Sequence, residues 1–123
     1  MKYLCLAYEQ ESVLNALSRK EWDGLRHETL EYVEELKKKN ILISAEPLQS
    51  VKTASTVRVR SGKTTITDGP FAETKETLGG FFLIDVRDLN DAIKIAAGWP
   101  SARLGSIEVR PLEPGLREER RYD

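Results

Sequence analysis

The sequence predicts an α+β fold: a ferredoxin-like subunit with an extra β-hairpin. Three observations carry it. The elements run strand, helix, strand hairpin, strand, helix, strand, which leaves a split βαβ pair once one hairpin strand is set aside. Two short runs, Lys2 to Tyr8 and Phe81 to Val86, are apolar nearly throughout, as central strands covered on both faces are. Two stretches between the strands show capped, amphipathic helical patterns. Such a sheet has helices on one face only, so its other apolar face needs cover. Two sheets packed face to face in a homodimer would supply it.

Each element has a local reason. Lys2 to Tyr8 is the first strand, and Cys5 inside it reads as a small buried hydrophobe. Glu9 to Leu17 reads as a polar connection. Ser18 followed by Glu21 is a capping box that opens the longest helix. Trp22, Leu25, Thr29, Val33 and Leu36, with Tyr32 beside them, form its apolar stripe. Lys37 to Lys39 suits the negative end of the dipole, and Asn40 can close the helix in the left-handed conformation. Ile41 to Ala45 is a short strand or a return to the sheet, interrupted by Pro47.

Ala54 to Arg60 alternates, with Val57 and Val59 directed inward and Arg58 and Arg60 outward. Ser61-Gly62 is a two-residue hairpin turn, and Lys63 to Thr67 is the β-branched return strand. After Gly79-Gly80 comes the second central strand. Asp88 caps a helix through Leu89, Ala92, Ile93, Ala96 and Ala97, which Gly98 ends and Pro100 prevents from continuing. Trp99 reads as a packed indole. Ser106 to Arg110 alternates again as the last strand. One domain, residues 1–112, is expected, with residues 113–123 as a charged tail around Pro114-Gly115.

Composition excludes several functions. The chain has 123 residues, 19 basic against 20 acidic side chains, and a formal net charge of −1. That gives no one-sign field to hold nucleic acid or an anionic membrane. The apolar start is too short for a signal peptide or a membrane span, so a cytoplasmic location is expected. One cysteine and one histidine build neither a disulfide nor the usual nitrogen and sulfur metal site. A carboxylate-only magnesium or calcium site survives the count, but no segment has the spacing of a calcium loop. No nucleophile elbow, phosphate-binding loop or dinucleotide fingerprint appears, and no cofactor is implied.

The densest chemistry lies in Asp68-Gly69-Pro70-Phe71-Ala72-Glu73-Thr74-Lys75-Glu76. Asp68 ends a strand and has two readings: a turn-holding carboxylate, or a general base or ligand-binding group. Phe71 reads first as a core anchor and second as a stacking platform. Glu73, Lys75 and Glu76 are either a solvated face or, if the loop folds over the sheet, the lining of a cleft with Asp68. His27 lies roughly opposite the apolar stripe, with Asp23 and Glu31 four residues to either side. It is a surface histidine or a base at a dimer edge. Arg58, Arg60, Arg103, Glu108 and Arg110 sit on or beside the sheet. They read as ion-pair partners or, for the arginines, as a fork for a carboxylate-bearing ligand.

Several stretches resemble the Asp-Gly-Pro-Phe group of the YCII-related family. They are Met1-Lys2-Tyr3-Leu4, Thr56 to Arg60 with Gly62-Lys63, Thr67 to Glu76, Leu78 to Ile84, Pro100 to Arg103, and Gly105 to Pro111. The resemblance covers nearly everything outside Glu9 to Ser50. It implies a dimeric α+β barrel of ferredoxin-like subunits, with a ligand cleft at the dimer. The family has no settled activity. It implies either a small organic ligand with cofactor-free acid–base chemistry, or a non-catalytic module working with an extracytoplasmic-function sigma factor. The wider family's histidine aligns only loosely with His27. On this reading Asp68 and His27 are the candidate catalytic residues. Arg58, Phe71, Glu73, Lys75, Glu76, Arg103 and Arg110 are the candidate ligand contacts.

Overall fold

The computed structural model describes residues 1–122; Asp123, the last residue of the expected tail, lies outside the described residues. Four strands form one antiparallel sheet. They are β1 (Lys2–Glu9), β2 (Leu42–Pro47), β5 (Thr77–Asp85) and β6 (Ser106–Pro111), in the order β2-β5-β1-β6. The two strands that read as apolar runs are the two central ones. The expected hairpin, β3 (Ser55–Arg60) and β4 (Lys63–Asp68), is a separate two-stranded sheet. The helices are α1 (Glu11–Asn15), α2 (Arg19–Lys38) and α3 (Leu89–Gly98). The stretch read as a polar connection therefore contains a short helix, which the five residues of α1 are too few to announce by periodicity.

Local chemistry sets the element ends. At Ser18 both halves of the capping box form: Ser18 Oγ accepts from Glu21 N at 3.1 Å, and Ser18 N donates to Glu21 Oε1 at 2.9 Å. Asn40 has φ 57°, the left-handed closure expected of it. Asp88 Oδ1 accepts from Asp91 N at 2.9 Å to start α3. Ser61 (φ 51°) and Gly62 (φ 74°) are both left-handed, which makes a type I′ hairpin turn. Pro47 does not interrupt β2 but ends it. β2 is an edge strand, where a residue without an N–H costs no ladder bond on the open side.

The core lies between the sheet and the helices. Tyr3 and Cys5 of β1, Phe82 and Ile84 of β5, and Ala92 of α3 are buried together. Burial pushes the Cys5 thiol up to about 12, so it is an inert core group. Trp99, just past α3, stacks on Phe82 with ring centroids 4.0 Å apart and planes at 10°. Tyr32 of α2 meets the same indole edge-on at 6.0 Å, and its hydroxyl donates to Ile95 O at 2.8 Å. Both helices are thus tied to one face through one tryptophan. Leu25 and Leu36 of α2 are buried as the stripe predicts, whereas Trp22 is 44% exposed.

Strand alternation assigns the opposite face. Leu4 pairs with Leu83 and Leu6 with Phe81, and on the other side Leu6 pairs with Glu108 and Leu4 with Arg110. These apolar side chains are partly exposed, and no helix of the described residues packs over them.

The free-standing hairpin corrects a further expectation. Val57, Val59 and Ile66 are 60%, 57% and 69% exposed, not directed into the core. Alternation gives the correct face of the ribbon, but this ribbon pairs with no other strand, and nothing in the described chain covers its apolar side.

Phe82 is fully buried beneath Trp99. Phe82→Ala should cost about 3–5 kcal/mol, roughly 10–20 °C in Tm at this chain length. Differential scanning calorimetry tests this, and a loss under 1 kcal/mol, about 4 °C, would mean the stack is not the centre of the core.

Candidate functional site

The site begins with a fault in the ladder between β1 and β5. Ala7 faces Gly80 but Tyr8 faces Leu78, so Gly79 is an extra residue on β5. Such a bulge bends the strand and re-aims nearby side chains. Here the Glu9 side chain lies directly over Gly79: a Cβ at that position would overlap Glu9 Oε1 and Cδ. Gly80 is close-packed as well, with the Glu46 carbonyl oxygen 3.0 Å from where its Cβ would be. The two glycines let a carboxylate and a neighbouring strand approach the β5 backbone.

Glu9 and Glu11 have opposite electrostatics. Burial, and then the charge of Glu11, raises the Glu9 pKa above the ordinary 4.5. The Glu9 carboxylate accepts no hydrogen bond among the described residues. Glu11 accepts from Ser50 Oγ at 2.6 Å and from Val51 N at 2.9 Å, which lowers its pKa and keeps it ionised. Ser50 and Val51 belong to the 3₁₀ turn that follows β2. Glu11 therefore ties α1 to that turn, while Glu9 is left unmatched beside it.

Both carboxylates line a cavity of about 700 Å³, within the range of small-molecule sites. Leu14, Leu17, Leu48 and the exposed indole of Trp22 form its apolar wall. Arg19 and Lys52 bring positive charge to it. Arg19 is already engaged, with Nε 3.2 Å from Asp23 Oδ1. A second cavity of about 510 Å³, between α2 and the turn after α3, is lined by Leu25, His27, Glu28 and Arg103 among others.

The residues singled out from sequence fall elsewhere. Asp68 ends β4, is exposed, and accepts no hydrogen bond among the described residues. The turn beyond it is held instead by backbone: Gly69 N donates to Ala54 O at 2.7 Å, and Thr56 Oγ1 donates to Gly69 O at 2.8 Å. Phe71 is 80% exposed, so it does not anchor the core in this chain. Glu73 and Lys75 are exposed, and Glu76 Oε1 accepts from Ser106 Oγ at 2.9 Å. Arg58 lies on the polar face of the free hairpin.

His27 Nε2 lies 3.0 Å from Glu31 Oε1, and Arg103 pairs with Glu28 beside the second cavity. Arg110 reaches Glu108 on the open sheet face at 3.8 Å. Asp68 and His27 line no common cavity of the two described. Among the described residues, no three His, Cys, Asp or Glu side chains converge to hold a metal ion.

Glu9 and Glu11 escaped the sequence reading. The one sequence signal for Glu9 was Gly79-Gly80, which marks close backbone approach without saying by what. The approaching group is Glu9, 70 positions earlier in the chain, and only the strand register reveals it.

Three comparisons bear on these features. The model of the YCII-related domain matches residues 1–115. An uncharacterised protein of Rhizobium meliloti (strain 1021) is 38% identical over 114 residues, covering 91% of this chain and 92% of that one. The structure of 5-chloro-2-hydroxyhydroquinone dehydrochlorinase (TftG) from Burkholderia phenoliruptrix AC1100, in complex with 2,5-dihydroxybenzoquinone, is similar with a TM-score of 0.58. It covers 94% of this chain and 96% of that one at 14% identity, a likeness of fold. No described helix is long and apolar enough to cross a membrane.

The raised pKa of Glu9 has a stability consequence of definite sign. A carboxyl that binds its proton more tightly folded than unfolded stabilises the fold when protonated, and loses that contribution as pH rises through its folded value. Glu9→Gln should therefore raise Tm at pH 7 by roughly 1–3 °C, since the site is partly exposed and screened. The gain should vanish as pH falls below 4.5, the ordinary value. Thermal melts across pH 4–8 measure this, and a fall in Tm at pH 7 would contradict the assignment.

Proposed function

This chain belongs to the YCII-related family, and from that premise we propose that it binds a small organic molecule in the cavity around Glu9. The observation that carries the reading is a half-buried carboxylate, unmatched by any donor among the described residues, held over the Gly79 bulge at the edge of an apolar-walled cavity. Leaving such a group unpaired costs stability. A fold that keeps one in a cavity is consistent with a ligand that supplies the missing partner. Binding is then coupled to the protonation of Glu9, with no cofactor required.

We further propose that the working unit is a homodimer built on the open sheet face. Leu4, Leu6, Phe81 and Leu83 make a continuous apolar patch on that face, and Glu108 and Arg110 rim it with opposite charges. Standard interfaces bury about 800 Å² on each partner, with an apolar centre and a polar rim. A second copy presenting the same patch fits that anatomy.

Two measurements test these readings separately. Fragments of neutral, anionic and cationic character should include binders that perturb the amide resonances of Glu9, Trp22 and Ser50. Gly79→Ala, whose new Cβ displaces the Glu9 carboxylate, should weaken those binders at least about fivefold, roughly 1 kcal/mol. A library with no such perturbation sinks the ligand reading. Light scattering should give twice the 13.9 kDa chain mass, and Leu6→Lys should give the monomer. A wild-type monomer at about 0.1 mM, well above the dissociation constant of a standard-size interface, would sink the dimer alone.

A further inference from the structure

The chemistry of the Glu9 cavity narrows the class of molecule it takes. We propose that its ligand is a small organic cation, a primary amine or amidinium on an apolar body, held by the Glu9 carboxylate against the face of Trp22. This rests on the cavity being the ligand site.

Glu9 offers acceptor oxygens and has no donor for them among the described residues. The charged groups facing its cavity are Glu11 from α1, Arg19 from α2 and Lys52 from the 3₁₀ turn; β5 contributes only Gly79. The Glu11 charge is already met by Ser50 Oγ and Val51 N, and Lys52 further favours its ionised form. Arg19 is paired with Asp23. Of the two carboxylates, Glu9 is the one whose demand for donors and positive charge is unmet among the described residues.

The walls agree. Trp22 exposes its indole in the cavity. No aromatic ring stacks on that indole and no cation lies over it among the described residues. Indole is the best of the aromatic faces for an ammonium or guanidinium-like group. Leu14, Leu17 and Leu48 suit an alkyl or aryl body. An anionic ligand would face two carboxylates, with Arg19 paired to Asp23 and Lys52 acting on Glu11.

The sign of proton linkage separates the two cases. A cation favours ionised Glu9, so its binding expels a proton wherever Glu9 is partly protonated, and its affinity falls as pH drops. An anion accepting a hydrogen bond from protonated Glu9 does the reverse.

The test uses the full chain with benzylamine, benzamidine, benzyl alcohol and benzoate as probes, each to about 10 mM, the range of weak fragment affinities. Calorimetry in two buffers of different ionisation enthalpy reads the proton count at about pH 5–6, above the ordinary carboxylate value. Tryptophan fluorescence reads occupancy, with Trp22→Phe removing the signal while Trp99 remains. Benzylamine and benzamidine should bind roughly tenfold more tightly than benzyl alcohol and release protons. Glu9→Gln, which folds without a buried charge, should erase that preference.

Tighter binding of benzoate, or proton uptake with the amines, overturns the cationic assignment. So does binding of benzyl alcohol alone, and in each of these cases the cavity stands as a ligand site. Failure of all four probes to reach the cavity overturns the amine assignment directly. If the wider fragment set also leaves Glu9, Trp22 and Ser50 unperturbed, the ligand reading falls with it.

Discussion

The stack of Trp99 on Phe82 organises this molecule. Phe82 sits at the middle of the central strand β5, and Trp99 is the residue at which α3 stops. Pro100 then starts a 3₁₀ turn that returns the chain toward β6. Tyr32 of α2 packs edge-on against the same indole and hydrogen-bonds to the α3 backbone. One aromatic cluster therefore fixes where α3 ends, how α2 crosses it, and which sheet face both helices cover. The asymmetry of the sheet follows directly. With both helices committed to the Phe82 side, the Leu4, Leu6, Phe81 and Leu83 side stays partly exposed among the described residues.

A second constraint sits at the far end of the same strands. Beyond the fault in the β1–β5 ladder, Glu9 pairs with Thr77 in place of Leu78, and its carboxylate lies over Gly79. The Gly79 bulge breaks the register by one residue and accommodates the carboxylate over bare backbone. The consequence is a half-buried carboxylate with no donor among the described residues. Glu11 shows the contrast within two positions: its side chain is satisfied twice over by the turn after β2. The same residue type is thus tied into the fold in one case and left without a donor in the other, and the two environments push the pKa values in opposite directions.

Local features were legible in the sequence because they depend on neighbours. The Ser18–Glu21 box, the left-handed Asn40, the Ser61-Gly62 turn and the Asp88 cap need only three or four adjacent residues. The two central strands were legible because so short a continuous apolar run, bounded by polar residues, suits a strand covered on both faces better than a helix. Burial was less so. Val57, Val59 and Phe71 are apolar yet exposed, the two valines despite their correct patterning, because the hairpin and the turn after it join no larger sheet. Trp22 follows the stripe of α2 but lies at its first turn, where it lines the cavity and stays exposed. The Glu9 and Glu11 environments were illegible because they depend on strand register and on a turn about 40 residues away.

The conspicuous loop from Asp68 to Glu76 gains a role from this geometry. Gly69 (φ 104°) adopts a backbone conformation open to few other residues, and its N–H and carbonyl clasp Ala54 and Thr56 across the base of the hairpin. At the other end Thr74 Oγ1 donates to Glu76 O, and Glu76 holds Ser106 at the start of β6. Thr77 Oγ1 then donates to Glu9 O at 3.4 Å, and Leu48 N donates to Gly79 O at 2.8 Å. The loop thus delivers β5 into the sheet with its first residues clamped against β1, β2 and β6 together. A slip of one residue there would move Gly79 out from under Glu9 and put a leucine or a second glycine in its place. The restricted turn and its polar side chains therefore secure the register on which the neighbouring cavity depends, and they do so without lining it.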